Sequence, residues 1–238
     1  MVEYLNTLQE IFIGGERYKY ILQGLSFSVG VTLFSAVLGI VLGVLLAIMR
    51  ICDFHPFRNS NSEKWRNYNP LADISILYTD LIRGTPAVVQ LMILANIIFA
   101  GFRDMPAFLI AGIAFGINSG AYVCEIIRAG IEGLDKGQME AARALGMPYS
   151  LAMREIIIPQ AVRKILPALV SEFITLLKET SIVGFIGGVD LLRSANIITS
   201  QTYRGVEPLL AVGLIYLVMT GIFTKVMRNV EKGLKTND

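Results

Sequence analysis

The sequence predicts an all-α integral membrane protein with about five membrane-spanning helices and an elbow of two short helices on one side. Three observations carry this. Of 238 residues, 54% are hydrophobic and 17% are charged, with a mean hydropathy of +0.59. A soluble domain carries about a quarter charged residues and needs that polar cover for its surface. The apolar residues also gather in runs that approach the roughly 20 residues a membrane helix requires. Finally, the lysines and arginines cluster between alternate runs, as they do on the cytoplasmic side of membrane proteins. The composition excludes other classes too. His55 and two scattered cysteines, Cys52 and Cys124, supply neither a metal cage nor a disulfide framework. A net charge of +2 gives no footprint for a nucleic-acid partner.

The elements follow in order. Residues 1–20 read as an extracytoplasmic segment without a cleavable signal, because Met1 to Glu10 has no basic residue ahead of an apolar run and carries Glu3 and Glu10. Tyr4, Leu5, Leu8, Ile11 and Phe12 recur at helical spacing, which suits an amphipathic helix lying beside the membrane; a frayed terminus is the alternative. A transmembrane domain, residues 21–228, then holds spans at about 21–49, 86–102, 107–127, 165–185 and 209–227, followed by a cytoplasmic tail, 229–238. Arg50 closes the first span, charges interrupt the fourth, and the fifth is uncharged until Lys225.

The basic residues set the orientation. Arg50, Arg58, Lys64, Arg66 and Arg83 share one stretch, and Arg128, Lys136, Arg143, Arg154, Arg163 and Lys164 share another. Lys225, Arg228, Lys232 and Lys235 fall in the tail, whereas the opposite side has only Arg17, Lys19, Arg103, Arg193 and Arg204. The N-terminus is therefore expected outside and the C-terminus in the cytoplasm. Gly39 with Gly43, and Gly112 with Gly116 and Gly120, form small-residue stripes that let helix backbones approach closely in lipid. Residues 53–69 form a long polar cytoplasmic loop, either simply solvated or making a regulatory contact.

The loop at 133–159 holds the most information. Asp135 followed by Gln138 forms a capping box, Glu140 to Leu145 are strong helix formers, and Gly146 suits the left-handed residue that ends a helix. Pro148 and Ser150 open a second short helix that is expected to stop before Pro159. Ala141, Ala142 and Ala144 keep this elbow slender enough to enter a groove on another protein, although many connector helices look similar.

Glu140-Ala141-Ala142, then Gly146, then Ile156-Ile157-Ile158-Pro159 resembles the EAA loop of ABC importer permeases, with Ile158 where that family usually has leucine. Arg83-Gly84-Thr85-Pro86, Asn118-Ser119-Gly120-Ala121-Tyr122, Lys136-Gly137-Gln138 and Leu177-Lys178-Glu179-Thr180-Ser181 are similar to the polar amino acid branch, the histidine/glutamine/arginine permeases. The resemblance covers about residues 24–234. It implies the type I importer fold in a bacterial cytoplasmic (inner) membrane. It also implies a second permease copy or a sister permease, two ABC ATPase subunits that hold the ATP and Mg, and an external amino-acid-binding protein. The elbow becomes the coupling helix, with Glu140, Ala141, Ala142, Gly146, Ile156 and Pro159 facing the ATPase. Compared with the family's usual short linker, residues 53–69 are long.

Charges inside spans need a reason, since each costs about 2.5–3.5 kcal/mol at a helix centre on the insertion scale. Lys178 and Glu179 are followed by Thr180 and Ser181, and Gly184, Gly187 and Gly188 then break the helix. A broken helix with both signs of charge and two hydroxyls suits a zwitterionic cargo or a water-filled cavity; a structural ion pair, or a lysine reaching the interface, is the alternative. Asn118, Ser119, Tyr122 and Glu125 share much of one face, which fits a polar pore lining, although Glu125 also stands three residues from Arg128 and so within reach of a local ion pair. Glu172 stands nearer the cytoplasmic end, within reach of Arg163 or Lys164 or of a partner subunit. The chain has no phosphate-binding loop, so it is expected to be a pore subunit without ATP chemistry or a cofactor of its own. The function expected is transport of polar, cationic-leaning amino acids by alternating access. An ion-coupled secondary transporter is the alternative, and would need coupling carboxylates such as Glu172 and Glu179 but not the elbow.

Overall fold

The computed structural model describes residues 2–52, 54–102 and 104–235, with the backbone alone for Val2 and 230–235. The expectations placed on Asp53, Arg103, residues 236–238 and the side chains of Lys232 and Lys235 lie outside the described residues. Regular structure among the described residues is entirely helical: α1 (Val2–Phe12), α2 (Tyr18–Ile51), α3 (Glu63–Arg66), α4 (Pro70–Arg83), α5 (Ala87–Ile93), α6 (Ala107–Glu132), α7 (Lys136–Ala144), α8 (Tyr149–Ala152), α9 (Ile158–Glu179), α10 (Leu191–Thr202) and α11 (Val206–Lys235).

Gly14–Ile51, Ala107–Glu132 and Val206–Asn229 are long and apolar enough to cross a membrane, and the bent pair Pro70–Arg83 with Ala87–Ile98 adds a fourth if it counts as one span. The count among the described residues is thus three or four, against the five expected. The difference lies in α9, where Arg163, Lys164, Glu172, Lys178 and Glu179 dilute the apolar run. The region expected to span at 86–102 is helical only over Ala87–Ile98, and its last turn widens so that Phe99 N–H reaches back five residues to Leu94 O at 2.8 Å.

The chain divides into two compact units. The first comprises Met1–Ala36, Pro86–Phe115 and Phe173–Arg228. Val31, Leu91, Phe115, Leu176 and Val183 form its main core, and Leu191 and Ala195 of α10 pack with Val212 of α11 in a second cluster. Gly112 supports this packing, because a Cβ there would stand 2.4 Å from the Phe34 ring. The amphipathic α1 turns Ile11 inward and leaves Tyr4 and Leu5 exposed. The Arg17 guanidinium donates to Glu10 O at 2.9 Å, at the carbonyl end of α1, and to Gln201 Oε1 of α10 at 3.2 Å. A cation is favoured there by the partial negative charge of the helix C-terminus.

The second unit comprises Val37–Thr85, Gly116–Glu172 and Asn229–Asp238. Here the later parts of α2 and α6 meet glycine to side chain. A Cβ on Gly43 would lie 2.5 Å from Val123, and one on Gly116 would lie 2.5 Å from Leu38. The α4 helix, unforeseen within a loop read only for its charge, starts where Asn69 accepts from Ala72 N–H at 3.1 Å. Its inner face is anchored to neighbouring backbones, Ser75 donating to Leu46 O at 2.9 Å and Tyr78 to Ile117 O at 2.7 Å, while Ile74, Leu77 and Leu81 are exposed.

Candidate functional site

The elbow, in the second unit, begins at Asp135. Its carboxylate accepts from Gly137 N–H at 2.9 Å, but the reciprocal half of the expected capping box is not made. The Gln138 amide oxygen instead accepts from Gln160 Nε2 at 3.3 Å, which ties α7 to the start of α9. At the far end of α7, Met147 N–H reaches Ala142 O at 3.1 Å and Gly146 N–H reaches Arg143 O at 3.0 Å, with Gly146 at φ +86°. This paired closure caps the last carbonyls and requires the left-handed residue that glycine supplies. Ala142 is buried within the elbow, Glu140, Ala141 and Gly146 are exposed, and Leu145 stands 84% exposed at the apex.

The second arm differs from expectation because it does not stop before Pro159. The α8 helix passes through one wide turn, Met153–Ile157, directly into α9. Ile158 N–H bonds Met153 O five residues back, and Pro159 falls in the first turn of α9, where its missing N–H is tolerated. Ile156 is half-buried and Pro159 exposed. Lys164 Nζ donates to Gly133 O at 2.7 Å, fixing the start of the loop against α9.

Along α6 in the same unit, Asn118 and Ser119 are buried. Ser119 Oγ donates to Glu172 Oε1 at 2.9 Å, a hydroxyl donor that the sequence spacing did not point to. Nearly two turns further on, Glu125 sits within three arginines. Arg128 Nη2 meets its Oε2 at 2.9 Å as the sequence spacing suggested, Arg83 Nη1 approaches the same oxygen at 3.4 Å, and Arg50 Nη1 binds Oε1. Arg128 also binds Glu132, and the Arg83 guanidinium lies 5.5 Å from the centre of the Tyr122 ring. Glu125 is only 16% exposed at its side chain and Arg50 only 20%. The ends of α2, α4 and α6 thus converge on a single carboxylate. Arg50 and Arg83 went unnoticed in the sequence because nothing local links them to Glu125.

The charged end of α9 belongs to the first unit. Lys178 is exposed, Glu179 and Ser181 are half-buried, and Thr180 is fully buried with its hydroxyl donating to Leu177 O at 2.7 Å. A tight helical segment, Thr180–Ile186, follows and ends at Gly187, φ +83°. Ser181 opens onto a niche of about 160 Å³ shared with Asp190, Arg193 and Asn196. Asp190, which the sequence reading passed over, caps α10. It accepts from Arg193 N–H at 2.8 Å and from Gly184 N–H at 2.6 Å, joining the broken end of α9 to the next helix. Burial pushes its carboxyl above the ordinary range, against the opposing pull of these N–H donors and the Arg193 charge. The two groups of candidate pore residues therefore fall in different units, Asn118, Ser119, Tyr122 and Glu125 in the second, and Lys178 to Ser181 in the first.

Known proteins share this architecture. The family model for the binding-protein-dependent transport system inner membrane component matches residues 66–236. The arginine transport system permease protein ArtQ of Bacillus subtilis is 42% identical over 227 residues, covering 93% of this chain and 95% of that protein. A putative glutamine transport system permease protein GlnP of Rickettsia bellii is 36% identical over 92% of this chain and 94% of its own. A crystal structure of an amino acid ABC transporter with histidines superposes with a TM-score of 0.82 at 40% identity, covering 93% of this chain and 97% of that one. The MetNI methionine ABC transporter, at 15% identity and a TM-score of 0.71, shares the fold over 90% of this chain and 96% of that one. With α7, α8 and their capped glycine turn standing where the EAA loop was read, the chain belongs to the binding-protein-dependent transport system inner membrane component family, the permease subunits of ABC importers whose ATPase is a separate subunit.

Proposed function

We propose that this permease carries polar, cationic-leaning amino acids into a bacterial cell by alternating access. In this reading it pairs with a second copy or a sister permease, sits on two ATPase subunits, and receives cargo from an external binding protein. Its N-terminus lies outside and its C-terminus in the cytoplasm. The observation that carries the reading is the elbow: a rigidly capped turn at Gly146 that presents Leu145 to a partner. The names of the relatives support an amino acid cargo, and the basic residues on the elbow side support the orientation.

In the cargo path, Lys178 meets the substrate carboxylate and Glu179 its ammonium, with Ser181 beside them. Thr180, being buried, acts on the backbone rather than on cargo. Ser119 holds Glu172, Asn118 lines the wall of the path, and Glu125 with Tyr122 fixes the arginine cluster. Glu140, Ala141, Ala142, Gly146, Ile156 and Pro159 form the ATPase seat.

The test is uptake by proteoliposomes holding the permease, its ATPase and the binding protein. Arginine accumulation should require internal ATP and be competed by lysine or histidine. Uptake driven by an ion gradient with no ATPase present would overturn the reading. Lys178→Ala and Glu179→Ala should each abolish cargo-stimulated ATP turnover while ATPase binding persists; unchanged uptake in both would remove them from the path.

A further inference from the structure

The loop after α2 does more than connect. Phe57, Trp65 and Tyr68 pack on one another, with ring centroids 5.4 Å apart for Phe57–Trp65, 5.6 Å for Trp65–Tyr68 and 6.5 Å for Phe57–Tyr68. The cluster is held at the neck of the loop. Asn69 Nδ2 donates to Cys52 O at 2.7 Å, His55 Nδ1 lies 3.1 Å from Tyr68 O, and Phe54 N–H turns back to Cys52 O at 3.0 Å. Yet all four aromatic side chains keep one face open, being 46%, 49%, 51% and 37% exposed for Phe54, Phe57, Trp65 and Tyr68. Arg58, Lys64 and Arg66, all exposed, lie in the same stretch, with the exposed Glu63 among them.

We propose that this aromatic cluster is a membrane-surface anchor that sits in the headgroup layer of an anionic lipid bilayer. Its place follows from the chain. The cluster is tied to Cys52, just past Arg50 where the apolar run of a helix long enough to cross a membrane ends, and in this proposal its rings stand near the end of the hydrocarbon. Tryptophan and tyrosine settle at that boundary because an apolar ring body and a polar edge are both satisfied there. The three cations lie where lipid phosphates would meet them. A loop made only to be solvated has no reason to hold three touching rings half out of water.

Trp65 is the only tryptophan in the chain, so it reports on itself. The full chain is reconstituted into phosphatidylcholine–phosphatidylglycerol vesicles with lipids brominated high or low on the acyl chain. Blue-shifted emission is expected, quenched more by the shallow bromine than by the deep one and little by aqueous iodide. Replacing phosphatidylglycerol by phosphatidylcholine, or introducing Arg58→Gln, Lys64→Gln and Arg66→Gln together, should reduce the lipid quenching. Red emission quenched by iodide and by neither bromolipid would overturn the proposal. So would protection from iodide that arises only when the ATPase subunits are added, which would assign the patch to a subunit contact. The readout does not depend on transport or on the side of the membrane the loop occupies, so it can fail while the importer reading stands.

Discussion

Glu125 is the residue whose loss should be felt most widely in its unit, since Arg50, Arg83 and Arg128 all turn to it. Replacing it with Gln leaves three cations around a neutral amide in a half-buried site. A hydrogen bond to a charged group contributes about 1.5–3 kcal/mol, so Glu125→Gln should lower the thermal unfolding midpoint in detergent, with cargo affinity per folded molecule unchanged. A lost affinity at an unchanged midpoint would make Glu125 a cargo residue instead. Asp190→Ala removes a helix cap and the bond to Gly184 together, and should cost about 1–2 kcal/mol by the same measurement. These two residues differ in how visible they were. The Glu125–Arg128 pair could be read from a spacing of three, whereas Arg50 and Arg83 reach Glu125 only because separate helices end together. Asp190 could have been read as a cap, because it precedes Leu191 and Leu192 at the start of an apolar-periodic stretch; the sequence reading looked only for charges inside spans.

At the scale of elements, the elbow shows what local chemistry can and cannot announce. Asp135, Gly146 and the alanines between them announced α7 and its end, since capping and a left-handed turn are decided within a few residues. The course of the second arm was not announced. Pro159 reads as a stop, and only the wide turn at Met153–Ile157 lets the helix run past it. The α4 helix was missed because its stretch was read for positive charge, and the alternation of Ser75, Tyr78 and Thr79 with Ile74, Leu77 and Leu81 was not used. Gly146→Ala should destabilise the turn by about 1–2 kcal/mol, the cost of the left-handed conformation for a residue with a Cβ. Pull-down of the ATPase should weaken accordingly, while membrane insertion, followed by fractionation, is unaffected. The glycine contacts make a further prediction. Gly43→Leu must displace Val123, and overpacking of this kind costs about 1–3 kcal/mol, readable as earlier aggregation on heating.

For the molecule as a whole, orientation is the prediction easiest to check. Cys52 is half-exposed at the foot of α2 and Cys124 is buried. With both cysteines replaced by serine, an impermeant maleimide should label Leu145→Cys, at the 84%-exposed apex of the elbow, in inside-out vesicles and not in right-side-out ones; the reverse pattern would invert the topology. The membrane class was legible from composition, whereas α9, which carries Arg163, Lys164, Glu172, Lys178 and Glu179, is not apolar enough to be recognised as a span by hydropathy. The uninterrupted helical course from Tyr149 through the wide turn to Glu179 has a mechanical consequence. At 1.5 Å per residue, its part in the second unit, Tyr149 to Glu172, is about 36 Å long, with Pro159 and Pro167 each lacking a hydrogen-bond donor. Within the second unit it puts Tyr149 of the elbow and Glu172, the carboxylate that Ser119 holds, on one continuous helical support.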